Sequence, residues 1–186
     1  RLVLGQLYET TGVRENQDIL DHYIAVIEGK TGSLIAAAGE YGSLLAGASE
    51  EVIQMLATYG ELVGVAFQLA DDVIDIVSDG ASSGKTQGTD LREGVPTLPT
   101  ILLNRAAEAG DESARQVRTL IEADLSSDEA LAAAVSALAA HPVTQEAWQI
   151  AYDWADRAIA AIAPLPDSTA KAALESFAHA VVHREG

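Results

Sequence analysis

The chain has 186 residues, of which 48% are hydrophobic and only 5% aromatic, a composition typical of an alanine- and leucine-rich helical protein. Its 28 acidic and 11 basic residues give a formal charge of −17, which argues against nucleic acid and anionic membrane surfaces as partners. The sequence has no cysteine, which excludes a disulfide framework and thiolate chemistry and is compatible with the cytoplasmic location that we expect.

The first residues have the pattern of a helix interior, because Leu2, Val3, Leu4 and Leu7 follow Arg1 with no capping residue before them. This pattern predicts that the sequence starts in mid-fold. No run approaches the roughly 18 apolar residues that span a bilayer, and the start lacks a signal-peptide layout. We therefore expect no transmembrane segment.

A helix is predicted from about Gln17 to Gly29, with Asn16 as its N-cap. The segment from Gly29 to Ser33 then interrupts the apolar pattern, which resumes at Leu34. Two glycines around a Lys-Thr pair allow either a kinked helix with freed backbone carbonyls or a loop between two helices. The residues alone leave both alternatives open.

The longest periodic segment runs from Glu50 to Val77 and follows Ser49, a good N-cap residue. Its apolar residues recur every three or four positions, which predicts a helix whose buried face is made of Val52, Leu56, Tyr59, Val63, Phe67, Ala70, Ile74 and Val77. A second face is polar and anionic, and it carries Gln68, Asp71, Asp72, Asp75 and Asp79.

Most anionic faces are simply solvated. In this helix, however, like charges four residues apart and carboxylates near the C-terminus each cost roughly 0.3–1 kcal/mol, so we expect a cation to offset the cost. Carboxylate oxygens suit hard divalent cations, and Mg²⁺ typically uses one or two carboxylates together with substrate phosphates. The aspartates therefore predict a magnesium site.

The segment after this helix is similar to two known motifs but fits neither. Asp75 to Thr86 has the length of an EF-hand loop, but Val77 occupies a ligand position and Thr86 replaces the closing glutamate. Gly80 to Thr86 is similar to a P-loop, but its glycines are one residue too close and it follows a helix instead of a strand. Lys85 remains a candidate phosphate ligand.

Further helices with short connections are predicted over Thr97 to Ala109, from the capping box Ser126-x-x-Glu129 to Pro142, over Val143 to Ile162, and after the capping residue Asp167. The large aromatic residues here lie on periodic apolar faces and are interpreted as core or subunit packing: Trp148, Trp154 and Phe177. Three histidines lack ligand-spaced partners and are interpreted as structural or solvated: His22, His141 and His179.

The ordered motifs closely resemble the second aspartate-rich region of trans-isoprenyl diphosphate synthases, also called polyprenyl synthetases. The resemblance depends on two runs, Phe67-Gln68-x-x-Asp71-Asp72-x-x-Asp75 and Gly84-Lys85-x-x-Gly88-x-Asp90-Leu91-Arg92-Glu93-Gly94-x-x-Thr97-Leu98-Pro99. Upstream, Lys30-Thr31-Gly32-Ser33-Leu34 resembles the family's other substrate-binding segment. The resemblance covers essentially the whole chain but corresponds to the later half or so of a synthase domain, because the family's first aspartate-rich motif is not visible.

The resemblance implies an all-α helical bundle with a central cavity, forming a single domain over residues 1–186 and usually a homodimer. It implies a Mg²⁺-dependent prenyltransferase that condenses isopentenyl diphosphate with an allylic diphosphate to give a longer (E)-polyprenyl diphosphate. The implied roles are metal binding by Asp71 and Asp75, with Asp72 acting through water; diphosphate binding by Lys30 and Lys85; orientation and cation stabilisation by Thr31 and Gln68; and contact with the isopentenyl group by Phe67.

One departure from the family pattern is the absence of a lysine that members frequently carry near Gly94 to Thr97. Two alternatives to the synthase interpretation stay open. The chain could be a non-catalytic or regulatory subunit of a heteromeric synthase, which the missing first motif favours and the retained aspartates disfavour. A terpene cyclase on the same scaffold is disfavoured by the Asp71-Asp72-x-x-Asp75 form of the motif.

Overall fold

The computed structural model describes residues 1–78 and 87–184, and every regular element within them is helical, as the composition predicted. The helices are α1 (Leu2–Thr11), α2 (Ile19–Ile27), a π-helical turn (Glu28–Gly32), α3 (Ser33–Leu45), α4 (Glu50–Val77), α5 (Thr89–Glu93), α6 (Leu98–Glu108), α7 (Glu112–Ile121), α8 (Asp128–Ala140), α9 (Pro142–Ala161) and α10 (Thr169–Val182). The predicted site residues Asp79 and Lys85 lie outside the described residues.

The chain forms two compact units. Unit 1 contains residues Arg1–Gln68 and Ile150–Arg184, and unit 2 contains residues Leu69–Gln149. That residues 1–186 form a single domain stays a prediction.

Unit 1 begins with α1, which packs on α2 and on the π-helical turn. Helix α2 starts at Ile19 because the Asp18 carboxylate accepts hydrogen bonds from the backbone N–H groups of Leu20 and Asp21, at 2.8 and 3.1 Å. The predicted cap, Asn16, is wrong, since this residue has a positive φ of 67° and precedes the helix by three residues.

The segment around Lys30 and Thr31 is helical, so the loop alternative is wrong. The π-helical turn Glu28–Gly32 joins α2 directly to α3. The Ser33 hydroxyl donates to the Gly29 carbonyl oxygen at 2.6 Å and so supplies a partner within the turn.

The bounds of α4 agree with the prediction, but its buried face differs toward the C-terminus. Val63 and Ala70 are fully buried as expected, whereas Val77 is 40% exposed and the buried positions are Val73 and Ile76. Residues on more than one face of α4 are buried between 63 and 76, and a single apolar stripe could not indicate this.

In the part of the chain that the structure describes, α4 is the single helix long and apolar enough, by length and composition, to cross a membrane. Its most apolar window has a mean hydropathy of 1.3 and is 44% buried. Buried core helices meet the same criteria, and the absence of a transmembrane segment stays a prediction.

Unit 2 has a core around α6, α7 and α8, with Leu98, Ile101, Leu103 and Leu138 almost completely buried. Helix α8 is capped by Ser127, whose hydroxyl accepts from the Ala130 N–H at 3.2 Å, one residue after the predicted cap Ser126.

The histidine and aromatic interpretations have different outcomes. His141 of unit 2 is buried between the Ser113 hydroxyl at 3.0 Å and the Val143 N–H at 3.3 Å, which confirms its structural role. In unit 1, Phe177 is 51% exposed, so it is not a core residue of this chain. Helix α10, which carries it, is capped by Ser168 instead of the predicted Asp167.

Candidate active site

Lys30 and Thr31 of unit 1 lie in the π-helical turn, which is held by contacts that only glycine allows. A Cβ atom at Gly29 would lie 2.7 Å from the Gly5 Cα of α1, and one at Gly64 of α4 would lie 2.7 Å from the Gly32 Cα. The backbones of α1 and α4 therefore approach the turn closely and fix the two predicted site residues between them.

The Lys30 ammonium forms an ion pair with Glu9 of α1. Its Nζ donates to both carboxylate oxygens, at 2.8 and 2.7 Å, and the two side chains are 33% and 43% exposed. The sequence analysis did not identify Glu9, because it lies 21 residues before Lys30 and its own spacing carries no motif.

Thr31 and Gln68, to which the family resemblance assigns one role, lie in contact in unit 1. The Thr31 hydroxyl donates to the Gln68 Oε1 at 3.2 Å, which joins the π-helical turn to α4 inside unit 1. Both side chains are half-buried. This hydrogen bond fixes the orientation of the Gln68 amide, with its carbonyl oxygen toward the threonine.

Phe67 contacts the last described residue of the chain. The Arg184 guanidinium carbon lies 3.9 Å from the centroid of the Phe67 ring, and its Nη2 donates to the Phe67 carbonyl oxygen at 3.3 Å. A cation over an aromatic face is attractive and restrains the ring. The sequence analysis did not identify Arg184 as a partner of Phe67.

Unit 1 also contains a pocket of about 630 Å³ that Lys30 and Thr31 do not line. Its polar residues include Glu28, Glu61 and Arg1, and Arg1 forms an ion pair with Glu61. Burial, and next the nearby Glu61 carboxylate, raise the pKa of Glu28. None of the predicted site residues that the structure describes lines this pocket, although Ser33 of the Lys30-to-Leu34 motif segment does.

The three motif aspartates of unit 2 lie on the last turns of α4 but differ in burial. Asp71 and Asp75 are partly exposed, whereas Asp72 is only 5% exposed and its Oδ2 accepts a hydrogen bond from the Leu98 N–H at 3.0 Å. Across residues 1–78 and 87–184, no three histidine or carboxylate side chains are grouped so that they could hold a metal by themselves.

The connection after the motif is anchored on Asp75 and Ile76. The Asp75 carbonyl oxygen accepts from the Gly88 N–H at 2.9 Å, its Oδ2 accepts from the Asp90 N–H at 3.3 Å, and the Gln87 amide donates to the Ile76 carbonyl oxygen at 2.6 Å. Gly88 has a φ of +73°, and a Cβ atom there would lie 2.4 Å from Val135 Cγ2, so this position requires glycine.

The donor set of this helix end fits a hard divalent cation. Carboxylate oxygens are the ligands that such cations prefer, and Asp71 and Asp75 lie four residues apart on one face of α4. Two carboxylates suffice where a substrate phosphate supplies further oxygens. Asp72 fits less well, because its carboxylate is buried against the start of α6.

These elements define an all-α protein with an aspartate-rich helix and a Lys-Thr π-helical turn. The chain belongs to the polyprenyl synthetase family, whose family model matches residues 1–138. It is 41% identical over its full length to the nonaprenyl diphosphate synthase of Mycobacterium tuberculosis, of which it covers 55%, and 36% identical over 97% of its length to the octaprenyl diphosphate synthase of Escherichia coli, of which it also covers 55%.

Solved structures give the same result. All of the chain matches 56% of the geranylgeranyl pyrophosphate synthase of Corynebacterium glutamicum, complexed with calcium and isoprenyl diphosphate, with a TM-score of 0.86 and 40% identity. A polyprenyl synthase from Caulobacter crescentus with the same two ligands gives a TM-score of 0.85 and 31% identity, again over 100% of this chain and 56% of that one. The chain therefore has the all-α fold of these enzymes and spans about half their length.

Proposed function

We propose that this chain carries the second-motif part of a Mg²⁺-dependent prenyltransferase, which condenses isopentenyl diphosphate with an allylic diphosphate into a longer (E)-polyprenyl diphosphate. The observation that carries the proposal is the hydrogen bond between Thr31 and Gln68 at 3.2 Å, because it joins two motif segments that lie 37 residues apart. Three relatives compared above are named nonaprenyl, octaprenyl and geranylgeranyl diphosphate synthases, and these names support the same reaction.

The reaction breaks the allylic C–O bond, and its electron pair leaves with the diphosphate. The double bond of isopentenyl diphosphate then attacks the allylic carbon, and a proton passes to the released diphosphate, which completes the product. The protein must bind two diphosphates, stabilise the leaving anion and shield an allylic cation from water. These are tasks of charge and dipole placement.

Lys30 would bind the diphosphate of the allylic substrate. Its ammonium already faces a bidentate anion, since both Glu9 oxygens accept from it, and a diphosphate presents the same arrangement of paired oxygens. Substrate binding would thus exchange one anionic partner of Lys30 for another. Lys85 would make a second such contact and lies outside the described residues.

Thr31 and Gln68 would face the allylic group. The Thr31 hydroxyl and the Gln68 amide are dipoles of fixed orientation because a hydrogen bond joins them. Such dipoles stabilise a developing positive charge without reorganising. Phe67, restrained under Arg184, would contact the isopentenyl group with its ring.

Asp71 and Asp75 would hold Mg²⁺, which when bound supplies positive charge that stabilises the diphosphate leaving group. The calcium present in two of the solved relatives supports a divalent-cation site in this family. We propose magnesium because it usually binds through one or two carboxylates and substrate phosphates.

An alanine substitution at Asp71 tests the assignment. In the natural polypeptide that contains this chain, Asp71→Ala should lower metal-dependent turnover at least about a hundredfold, as expected when a metal ligand is lost. Glu51→Ala is the matched control, since it removes an exposed carboxylate from the first turn of the same helix. Wild-type turnover in Asp71→Ala would contradict the proposal.

A regulatory subunit of a heteromeric synthase remains the alternative, and absence of product from the folded natural polypeptide would favour it. A cyclic hydrocarbon product would favour a terpene cyclase instead. Cytoplasmic location and a homodimeric assembly are further predictions of this proposal.

A further inference from the structure

We propose that Asp72 is a positioning residue that fixes the start of α6 against α4, and that it does not bind the cation. The relevance of this inference to catalysis rests on the proposed function, while its evidence is the geometry of unit 2. Asp72, in α4, and Leu98, the first residue of α6, meet in a 3.0 Å hydrogen bond from the Leu98 N–H to Asp72 Oδ2.

The start of α6 is buried, with Thr97 3% exposed and Leu98 and Pro99 almost completely inaccessible. The first backbone N–H groups of any helix lack an acceptor within that helix, and a buried group of this kind is destabilising unless it finds one. At α6 the Thr97 N–H donates to the Thr100 hydroxyl at 2.9 Å, and Pro99 has no N–H. Leu98 obtains its acceptor from Asp72, 26 residues earlier in the chain.

The negative charge of Asp72 also suits its position beside the N-terminus of α6. A carboxylate beside a helix N-terminus interacts favourably with the partial positive charge of the exposed N–H groups. Asp72 occupies this position with 5% exposure, whereas its neighbour Asp71 is partly exposed. Adjacent aspartates of the motif thus have different environments, one in the interior of unit 2 and one accessible to solvent.

Asp72 is one of several anchors that attach the following connection to α4. Asp75 accepts from the N–H groups of Gly88 and Asp90, and Ile76 accepts from the side chain of Gln87. These hydrogen bonds hold residues 87–90, and Asp72 holds Leu98, where α6 begins. Asp72 therefore fixes the end of the segment 87–98 against α4, near the proposed metal ligands.

The experiment compares Asp72→Asn with Asp71→Asn in the natural polypeptide. Asparagine keeps the shape of aspartate and an oxygen that can accept from Leu98, but it lacks the charge that a cation needs. Two quantities are measured: binding of Mg²⁺ in the presence of inorganic pyrophosphate, by calorimetry, and hydrogen exchange of the Leu98 amide.

For Asp72→Asn we expect Mg²⁺ affinity within about threefold of the parent and a protected Leu98 amide, since the hydrogen bond is kept. For Asp71→Asn we expect Mg²⁺ affinity at least about tenfold weaker and unchanged Leu98 exchange. Asp72→Glu keeps the charge but displaces the oxygen, so Leu98 exchange should accelerate by about tenfold or more.

Mg²⁺ affinity that falls as much in Asp72→Asn as in Asp71→Asn would overturn the inference, because Asp72 would then be a ligand. Fast Leu98 exchange in Asp72→Asn together with full protection in Asp72→Glu would overturn it as well. If neither asparagine variant changes Mg²⁺ affinity, the metal assignment of the proposed function fails, and Leu98 exchange still decides the role of Asp72.

Discussion

Both carboxylate oxygens of Glu9 accept hydrogen bonds from the Lys30 ammonium, at 2.8 and 2.7 Å. Under the proposed function, this carboxylate occupies the place on Lys30 that a substrate diphosphate would take. Glu9 and the diphosphate are therefore competitors for one cation.

Removal of the Glu9 charge should strengthen pyrophosphate binding. Because partly exposed ion pairs are worth about 0.2–1 kcal/mol, Glu9→Gln should tighten the dissociation constant by about 1.4- to fivefold, measured by calorimetry with Mg²⁺ present. Glu15→Gln, which removes an exposed carboxylate outside this pair, is the charge-matched control. Weaker binding in Glu9→Gln would instead mean that Glu9 pre-organises Lys30.

The close approach of α1 to the π-helical turn should make Gly29→Ala strongly destabilising. A Cβ atom there would meet the Gly5 Cα at 2.7 Å, and overpacking of this kind costs about 1–3 kcal/mol of unfolding free energy. The matched control is Gly42→Ala in α3, where nothing lies within 4 Å, and where alanine should stabilise the helix by up to about 1 kcal/mol. Chemical denaturation measures the unfolding free energy of both variants. Equal changes in the two would contradict the close approach at Gly29.

Tyr59 should make stability depend on pH in the alkaline range. Burial raises the pKa of Tyr59 to about 12, whereas an unfolded tyrosine has a pKa of about 10. The unfolded state therefore loses its proton first, so this contribution to stability is complete below about pH 10 and declines as the pH rises toward 12. Deprotonation also removes the donor of the 2.6 Å hydrogen bond from the Tyr59 hydroxyl to the Leu174 carbonyl oxygen.

Urea denaturation at pH 9 and pH 11 measures this effect. The parent should lose stability between these pH values, and Tyr59→Phe should lose less than the parent does. Tyr41→Phe, at a residue that is 60% exposed, is the control for the loss of a hydroxyl. A decline of the same size in Tyr59→Phe and the parent would show that other groups cause it.

The close packing of Val135 against Gly88 gives a further prediction. Gly88 and Gly94 have nearly the same backbone angle, with φ of 73° and 69°, but only a Cβ at Gly88 meets a neighbour, Val135 Cγ2 at 2.4 Å. Gly94→Ala should therefore cost about 1 kcal/mol of backbone strain, and Gly88→Ala about 1–3 kcal/mol more. Chemical denaturation measures both variants, and equal losses of unfolding free energy in the two would contradict this packing.

Sequence periodicity was sufficient to predict the helical class and the bounds of α4, because long periodic segments with a clear N-cap such as Ser49 leave few alternatives. Caps at short connections were less accurate. Ser126 and Ser127 are chemically equivalent capping residues, and only the structure shows that the second accepts from the Ala130 N–H. Asp167 and Ser168 pose the same ambiguity at α10.

The sequence analysis named candidate site residues but not the distant partners that hold Lys30 and Phe67. Thr31 and Gln68, which share an implied role, form a hydrogen bond. Glu9 and Arg184 were not predicted as partners of Lys30 and Phe67, because no local pattern connects residues 21 and 117 positions apart. The burial of Asp72 depends on α6, which the pattern of α4 cannot indicate.

The most direct test of the account is incorporation of labelled isopentenyl diphosphate into extended allylic products by the natural polypeptide that contains this chain, with Mg²⁺ and with a chelator. The proposed function predicts a longer prenyl diphosphate with Mg²⁺ and none with the chelator. Absence of product from a folded, Mg²⁺-supplied protein, or a product that forms equally well with the chelator, would contradict it.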